Sequence, residues 1–219
     1  MSQLVAINSS YRIELRFKYW AINIQTFKES LARKGFNIAT VGLVQQGAIV
    51  ATVEAGPLAY KSNSTIAYDP QARLLVLTIT NSNTPQENLK EILSTLDIAG
   101  VPSRELIEVI QLTGNLLLKT PIAPATIIQK VVSKDMVKKI CIILGKSVLP
   151  VGLRLASENA PTDIFEKPYF NILIEPLMAD MTKFLVQVTY VGRDVDESLD
   201  FLTNLCTNVI NIIQTMGGQ

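Results

Sequence analysis

Histidine is absent from this chain of 219 residues. Its absence removes the one side chain that titrates unaided near neutral pH, the Ser/His and Cys/His nucleophile pairs, and the commonest zinc ligand. The two cysteines, Cys141 and Cys206, each fall on the apolar side of a helical pattern, where a thiol packs as a small hydrophobe. Two lone thiols make no zinc site, and a reducing compartment disfavours a disulfide between them. Carboxylates gather at Asp194, Asp196 and Glu197, but this run opens a helix, where an N-cap and the positive end of the helix dipole account for it. Glu54 and Asp69 lie near turns. Gly42, Gly47, Gly56, Gly152 and Gly192 are scattered and form neither a phosphate-binding loop nor a dinucleotide fingerprint. The reading is a protein that is not an enzyme, with no catalytic residue, no metal and no cofactor.

The remaining chemistry is recognition. Arg12, Arg16 and Lys18 project from one side of an alternating strand, and Thr78, Thr80, Gln187 and Thr189 share the polar side of two others, together with Thr52 and Asn171. Such residues contact phosphates and groove edges, so they form a candidate nucleic-acid face. Glu14 and Glu54 interrupt it, and 20 Lys plus Arg against 19 Asp plus Glu leave a net charge of +1. Nucleic-acid affinity is dominated by phosphate neutralisation, so nucleic acid is the disfavoured partner, and a solvated, threonine-rich strand face is the plainer reading.

A second candidate surface lies in the last helix, over about 195–216. Leu202, Leu205, Val209, Ile212, Ile213 and Met216 form an apolar stripe too wide for one buried side, and no charge follows Leu202. The chain is 48% hydrophobic with mean hydropathy +0.28, yet no apolar run approaches the length of a membrane helix. The surplus fits a protein partner or a second copy of the chain, with no membrane role. Residues 1–10 lack the pattern of a secretory signal, so a cytoplasmic location is expected.

These residues must be positioned by a repeated unit. Residues 75–80 (Leu-Val-Leu-Thr-Ile-Thr) are echoed at 184–189 (Phe-Leu-Val-Gln-Val-Thr), with large apolar side chains at the same alternate positions. Residues 11–19 alternate without a break, Tyr11, Ile13, Leu15, Phe17 and Tyr19 against Arg12, Glu14, Arg16 and Lys18. A helix capped by Asn23 and stopped by Gly35 precedes strands over 38–44 and 48–54. A hairpin over 58–60 and 64–68 turns at Lys61-Ser62-Asn63, and Asp69-Pro70-Gln71-Ala72 makes the next turn. Thr84, Pro85 and Glu87 spell a capping box for a helix burying Leu89, Ile92, Leu93 and Leu96.

Ser103 then caps a further helix bearing Leu106, Ile110, Thr113 and Leu117, and prolines 121 and 124 mark the joint. In the second half 125–132 stands in the place of the first strand. Ser133 and Gly145 bound a helix as Asn23 and Gly35 do, and Val151-Gly152-Leu153 repeats Val41-Gly42-Leu43.

The expected fold is therefore α+β, a tandem duplication of a β-α-β(3-4)-α unit with helices on one face of an antiparallel sheet. The first repeat spans 1–120, including a linker helix, and the second 121–219. This element order resembles the duplicated saddle of the TATA-box-binding-protein fold, and equally an elaborated pair of ferredoxin-like units. The resemblance is one of topology and carries no functional residue with it. The functional expectation is a non-catalytic binding or assembly protein that forms a homo-oligomer through its helices. The alternatives are a nucleic-acid-binding saddle and a carrier of a small apolar ligand held between sheet and long helix.

Overall fold

In the computed structural model, residues 4–19, 22–39, 56–82, 84–158 and 167–218 are described. Among them the chain forms β1 (Val5–Phe17), α1 (Ile24–Arg33), β2 (Asn37–Ile38), β3 (Gly56–Lys61), β4 (Ser64–Asp69), β5 (Leu74–Thr80) and α2 (Pro85–Ile98). A short α3 (Ser103–Leu106) leads into β6 (Ile107–Lys119). There follow α4 (Pro124–Val131), α5 (Lys134–Leu144), β7 (Leu153–Ala156), β8 (Tyr169–Pro176), β9 (Lys183–Gly192) and α6 (Val195–Gly217). The strands form one antiparallel sheet in the order β2-β3-β4-β5-β1-β6-β9-β8-β7. The fold is α+β, with nine strands and six helices among the described residues.

The two longest strands sit side by side at the centre. In β1 the alternation predicted from sequence is realised: Tyr11, Ile13, Leu15 and Phe17 are buried. Their neighbours across the ladder, Ile79, Leu77 and Leu75 on β5 and Leu112 and Ile110 on β6, are buried on the same face. On the far side of β6, Leu116 and Leu118 lie opposite Val186 and Phe184 of β9, again buried. These side chains join Phe27 and Leu31 of α1, Leu89 and Ile92 of α2, Ile127 and Ile128 of α4 and Val209 and Ile213 of α6 in one apolar cluster. Burial of this one face is the main stabilising term, at roughly 1.5–3 kcal/mol for each fully buried large aliphatic side chain.

Several local expectations hold. The Asn23 Oδ1 accepts from the Thr26 amide, and the Ser133 Oγ from the Met136 amide, capping α1 and α5. The hairpin of β3 and β4 turns at Lys61-Ser62-Asn63, with Ser62 in the left-handed region. Asp69 Oδ1 accepts from the amides of Gln71 and Ala72 at 2.9 and 3.0 Å, closing the turn into β5. Among the described residues no helix is long and apolar enough to cross a membrane.

Four expectations are corrected. The helix expected from Ser103 through Leu117 is only the single turn of α3, and its linker position is taken by the central strand β6. Both periods fit that segment, but Ile110, Leu112, Leu116 and Leu118 are the residues buried, at every second position, because β1 and β9 each need a hydrogen-bonded neighbour there. Ser103 does not cap: its amide donates to Asp97 Oδ1 at 2.8 Å, and its buried hydroxyl has no hydrogen-bond partner among the described residues. Residues expected as the first strand of the second half, 125–132, form α4, which Pro124 starts and whose Ile127 and Ile128 are buried. Thr84 stands at the N-cap of α2 with Pro85 following, yet its side chain makes no capping bond. The strands expected over 38–44 and 48–54, and with them Val41-Gly42-Leu43, Thr52 and Glu54, lie outside the described residues except for the start of the first.

Candidate functional site

At the β7 end of the sheet α6 leaves an open apolar groove. Asp194 Oδ1 accepts from the Glu197 amide at 2.8 Å to begin the helix. Arg104 of α3 holds the first turn in place by donating from Nη2 and Nε to the two oxygens of Asp196, at 2.9 and 3.3 Å. That guanidinium keeps the Asp196 carboxyl below the usual carboxylate range. On the side of α6 facing β8, Phe201 stacks on Tyr190 with ring centroids 4.4 Å apart, and Phe170 lies 6.5 Å from Phe201. Leu153 and Leu155 of β7 form one wall. Leu205, Ile212 and Met216 of α6 form the other. The groove has a volume of about 900 Å³. Its polar rim is Glu197, Asp200, Asn204, Asn208, Asn211 and Thr215, so its only charged lining residues among those described are acidic.

The corresponding place at the β2 end is filled. There α1 packs against α2, β2 and β3 and buries Phe27 and Leu31. Lys61 of β3 clasps the arrangement: its Nζ donates to the Lys34 carbonyl at 2.9 Å, pairs with Glu91 of α2 at 2.7 Å, and stands 5.1 Å from the centre of the Phe36 ring. In the second half α4 packs on α6 and β8, and Lys130 Nζ donates to the Gly217 carbonyl at 2.7 Å. The next helix, α5, buries no residue at all. Met136, Ile140, Ile142, Ile143 and Leu144 are exposed along it, Ile142 at 80% and Ile143 at 79%.

The sequence-selected association residues of α6 therefore divide. Leu202, Leu205, Val209, Ile213 and Met216 are buried in the chain's own core, and Ile212 is half-buried. Leu205, Ile212 and Met216 also present surface to the groove. Phe170 and Tyr190, which supply its aromatic floor, are not among the residues predicted from sequence. Their only signal is that each sits on the inward parity of its strand next to an aromatic on α6.

The polar sheet face is continuous. Thr65, Thr78, Arg12, Thr113, Thr189 and Asn171 lie on successive strands as direct cross-strand partners. The next row runs Thr80, Ser10, Asn115 and Gln187. Thus Arg12, Thr78 and Thr189 share one row, Thr80 and Gln187 share the next, and Arg16 is exposed on the same strand face. Lys18 lies beyond the end of β1 and donates to the Glu105 carbonyl at 2.6 Å, away from these rows. The charge of Arg12 is met at 2.7 Å by Glu14.

Both cysteines are free. Burial pushes the Cys206 thiol pKa up, as expected of a packed side chain. Cys141 is half-buried on α5, where its Sγ accepts from the Val148 amide at 3.4 Å. Among the described residues no three Cys, Asp or Glu side chains converge as metal ligands would. Comparison of the chain with protein-family models, with curated proteins and with solved structures finds no match in any of the three.

Proposed function

We propose that this is a non-catalytic binding and assembly protein that self-associates through the apolar surfaces of its second half. The observation that carries the reading is that one chain exposes both an apolar groove on α6 and a helix, α5, with no buried residue. Contiguous apolar surface of this kind is costly in water, and association removes it. The helices of the first half show no comparable exposure, since α1 is clasped down by Lys61.

The same reading includes a duplicated unit with a saddle-like topology related to that of the TATA-box-binding-protein fold. In its support, Leu77 lies opposite Ile13 on one side of the central pair, and its echo Val186 lies opposite Leu116 on the other. The difference between the halves would then be that the second has gained α4 and released the helix after it.

The test is light scattering coupled to size exclusion, at low and high salt, with and without a short mixed-sequence DNA duplex. A dimer or larger species that ignores DNA is expected. A monomer at every concentration, or one that shifts only with DNA at low salt, overturns the proposal. A second reading, a carrier of a small apolar ligand, is favoured by the groove's volume, which falls in the range of small-molecule sites. It predicts a co-purifying mass in native mass spectrometry and a monomeric protein.

A further inference from the structure

We infer that the groove beside α6 is the seat for α5 of a second copy, so that two chains exchange these helices. The inference rests on the self-association proposed above and specifies its surface. The chain carries its own precedent for the fit, because α1 occupies the corresponding place over β2 and β3 beside α2.

The faces of α5 match the groove in shape and charge. Met136, Val137, Ile140, Ile143 and Leu144 fall on one side at three- and four-residue spacing, as the knobs of a docking helix do. Lys134, Lys138 and Lys139 lie on the other, with Asp135 the only acid. The groove offers aromatic and aliphatic walls to the first side and Glu197 and Asp200 at its rim to the second. Opposite charges across an interface fix the register in which the helix is laid down.

The link before α5 selects the second copy over the chain's own helix. Ile127 and Ile128 bury α4 against the core, and Lys130 fastens it to the end of α6. Only Val132, in an extended conformation, and the capping Ser133 separate it from α5. Folding α5 back into its own groove would rebuild that short link and its cap, whereas presenting it to a neighbour requires no change in the backbone. The contact made by one pair of groove and helix is repeated by the other, which closes the dimer.

Ile143→Glu spoils the helix and Asn208→Trp fills the groove, and both positions are exposed, so neither change disturbs the core. Light scattering over a concentration series is compared for the wild type, each variant and their equimolar mixture, with thermal melts confirming the fold. The expected result is a wild-type dimer, a dissociation constant raised about tenfold or more in each variant, and a heterodimer in the mixture. The mixture recovers one intact pair, the groove from one variant and the helix from the other. A wild-type dimer that neither variant weakens, or variants that do not complement, overturns the exchange and leaves self-association standing. A wild-type monomer removes self-association itself. Ile142→Glu, on the lysine side of α5, leaves the dimer intact if the assigned face is right, and weakens it equally if it is wrong.

Discussion

The rings of Tyr190 and Phe201 stack with centroids 4.4 Å apart and 27° between their planes, tying β9 to α6 at the floor of the open groove. Tyr190 is buried while Phe201 is half-buried, so the contact joins the core to the surface. Phe201→Ala removes the stack and its part of the buried area. Half of a full Phe truncation, about 2 kcal/mol, is the expected loss of stability in urea unfolding. A loss under about 0.5 kcal/mol would show that the stack is a passive contact.

Gly192 ends β9 beneath the same tyrosine. A Cβ built there would stand 2.6 Å from the Tyr190 hydroxyl and 3.0 Å from its ring, which is buried and stacked on Phe201. Gly192→Ala should therefore destabilise the protein by about 1–3 kcal/mol. Adding Tyr190→Phe removes the nearest clashing atom and should recover part of that loss. Equal midpoints for the single and double variants in thermal melts would place the strain elsewhere.

Stability should fall on the acid side for reasons that can be traced to two exposed carboxylates. Asp180, in the turn between β8 and β9, accepts from Lys183 Nζ at 2.8 Å, from the Thr182 hydroxyl at 2.6 Å and from its amide at 3.1 Å. These bonds, the lysine's foremost, hold its carboxyl well below the usual range, and the hydrogen bonds from Arg104 lower that of Asp196. A folded-state pKa below the unfolded one contributes stability above the unfolded value of about 3.9, and that contribution is lost as pH falls toward the folded value. Asp180→Asn keeps an acceptor in the turn and loses only the charge. Its urea midpoint should lie below wild type at pH 7, and the gap should narrow as pH falls from about 4 toward the lowered folded-state value. A gap that stays constant across that range would mean the charge is not responsible.

How much of this was legible in the sequence depended on whether one period or two fitted the segment. Residues 11–17 could be read because Tyr11, Ile13, Leu15 and Phe17 alternate with charges, and no helical register buries them together. The same strand runs back to Val5 through polar residues at 8–10, where no apolar pattern marks it; there the ladder to β6 defines it, joined at Ser10 by β5. Over 106–117 the residues Leu106, Ile110, Thr113 and Leu117 offered a helical stripe as good as the alternating one. Gly114 breaks the tie only in three dimensions: it faces Tyr11 across the ladder, and a Cβ there would meet the ring at 3.0 Å. The groove was hidden for a different reason. Leu205, Ile212 and Met216 could be placed on α6, but that a groove opens beside them toward β7 and β8, while α5 buries no residue, is a property of packing between elements distant in the chain.

The polar sheet face gives the sharpest test against a nucleic-acid role. Its central row is mostly uncharged, Thr65, Thr78, Thr113, Thr189 and Asn171, and its one cation, Arg12, already donates to Glu14 at 2.7 Å. Lys18 is turned away to the Glu105 carbonyl, which leaves Arg16 as the cation of the predicted set that faces outward on β1. Each phosphate neutralised adds affinity and steepens the salt dependence of binding, and the predicted set offers few such contacts, so weak and salt-sensitive retention is expected. The wild type and the double variant Arg12→Glu, Arg16→Glu are therefore expected to leave heparin together below about 0.2 M salt, with unchanged oligomeric state. Retention of the wild type well above that concentration, abolished by the double reversal, would make the sheet face the functional surface and reduce the groove to a secondary feature.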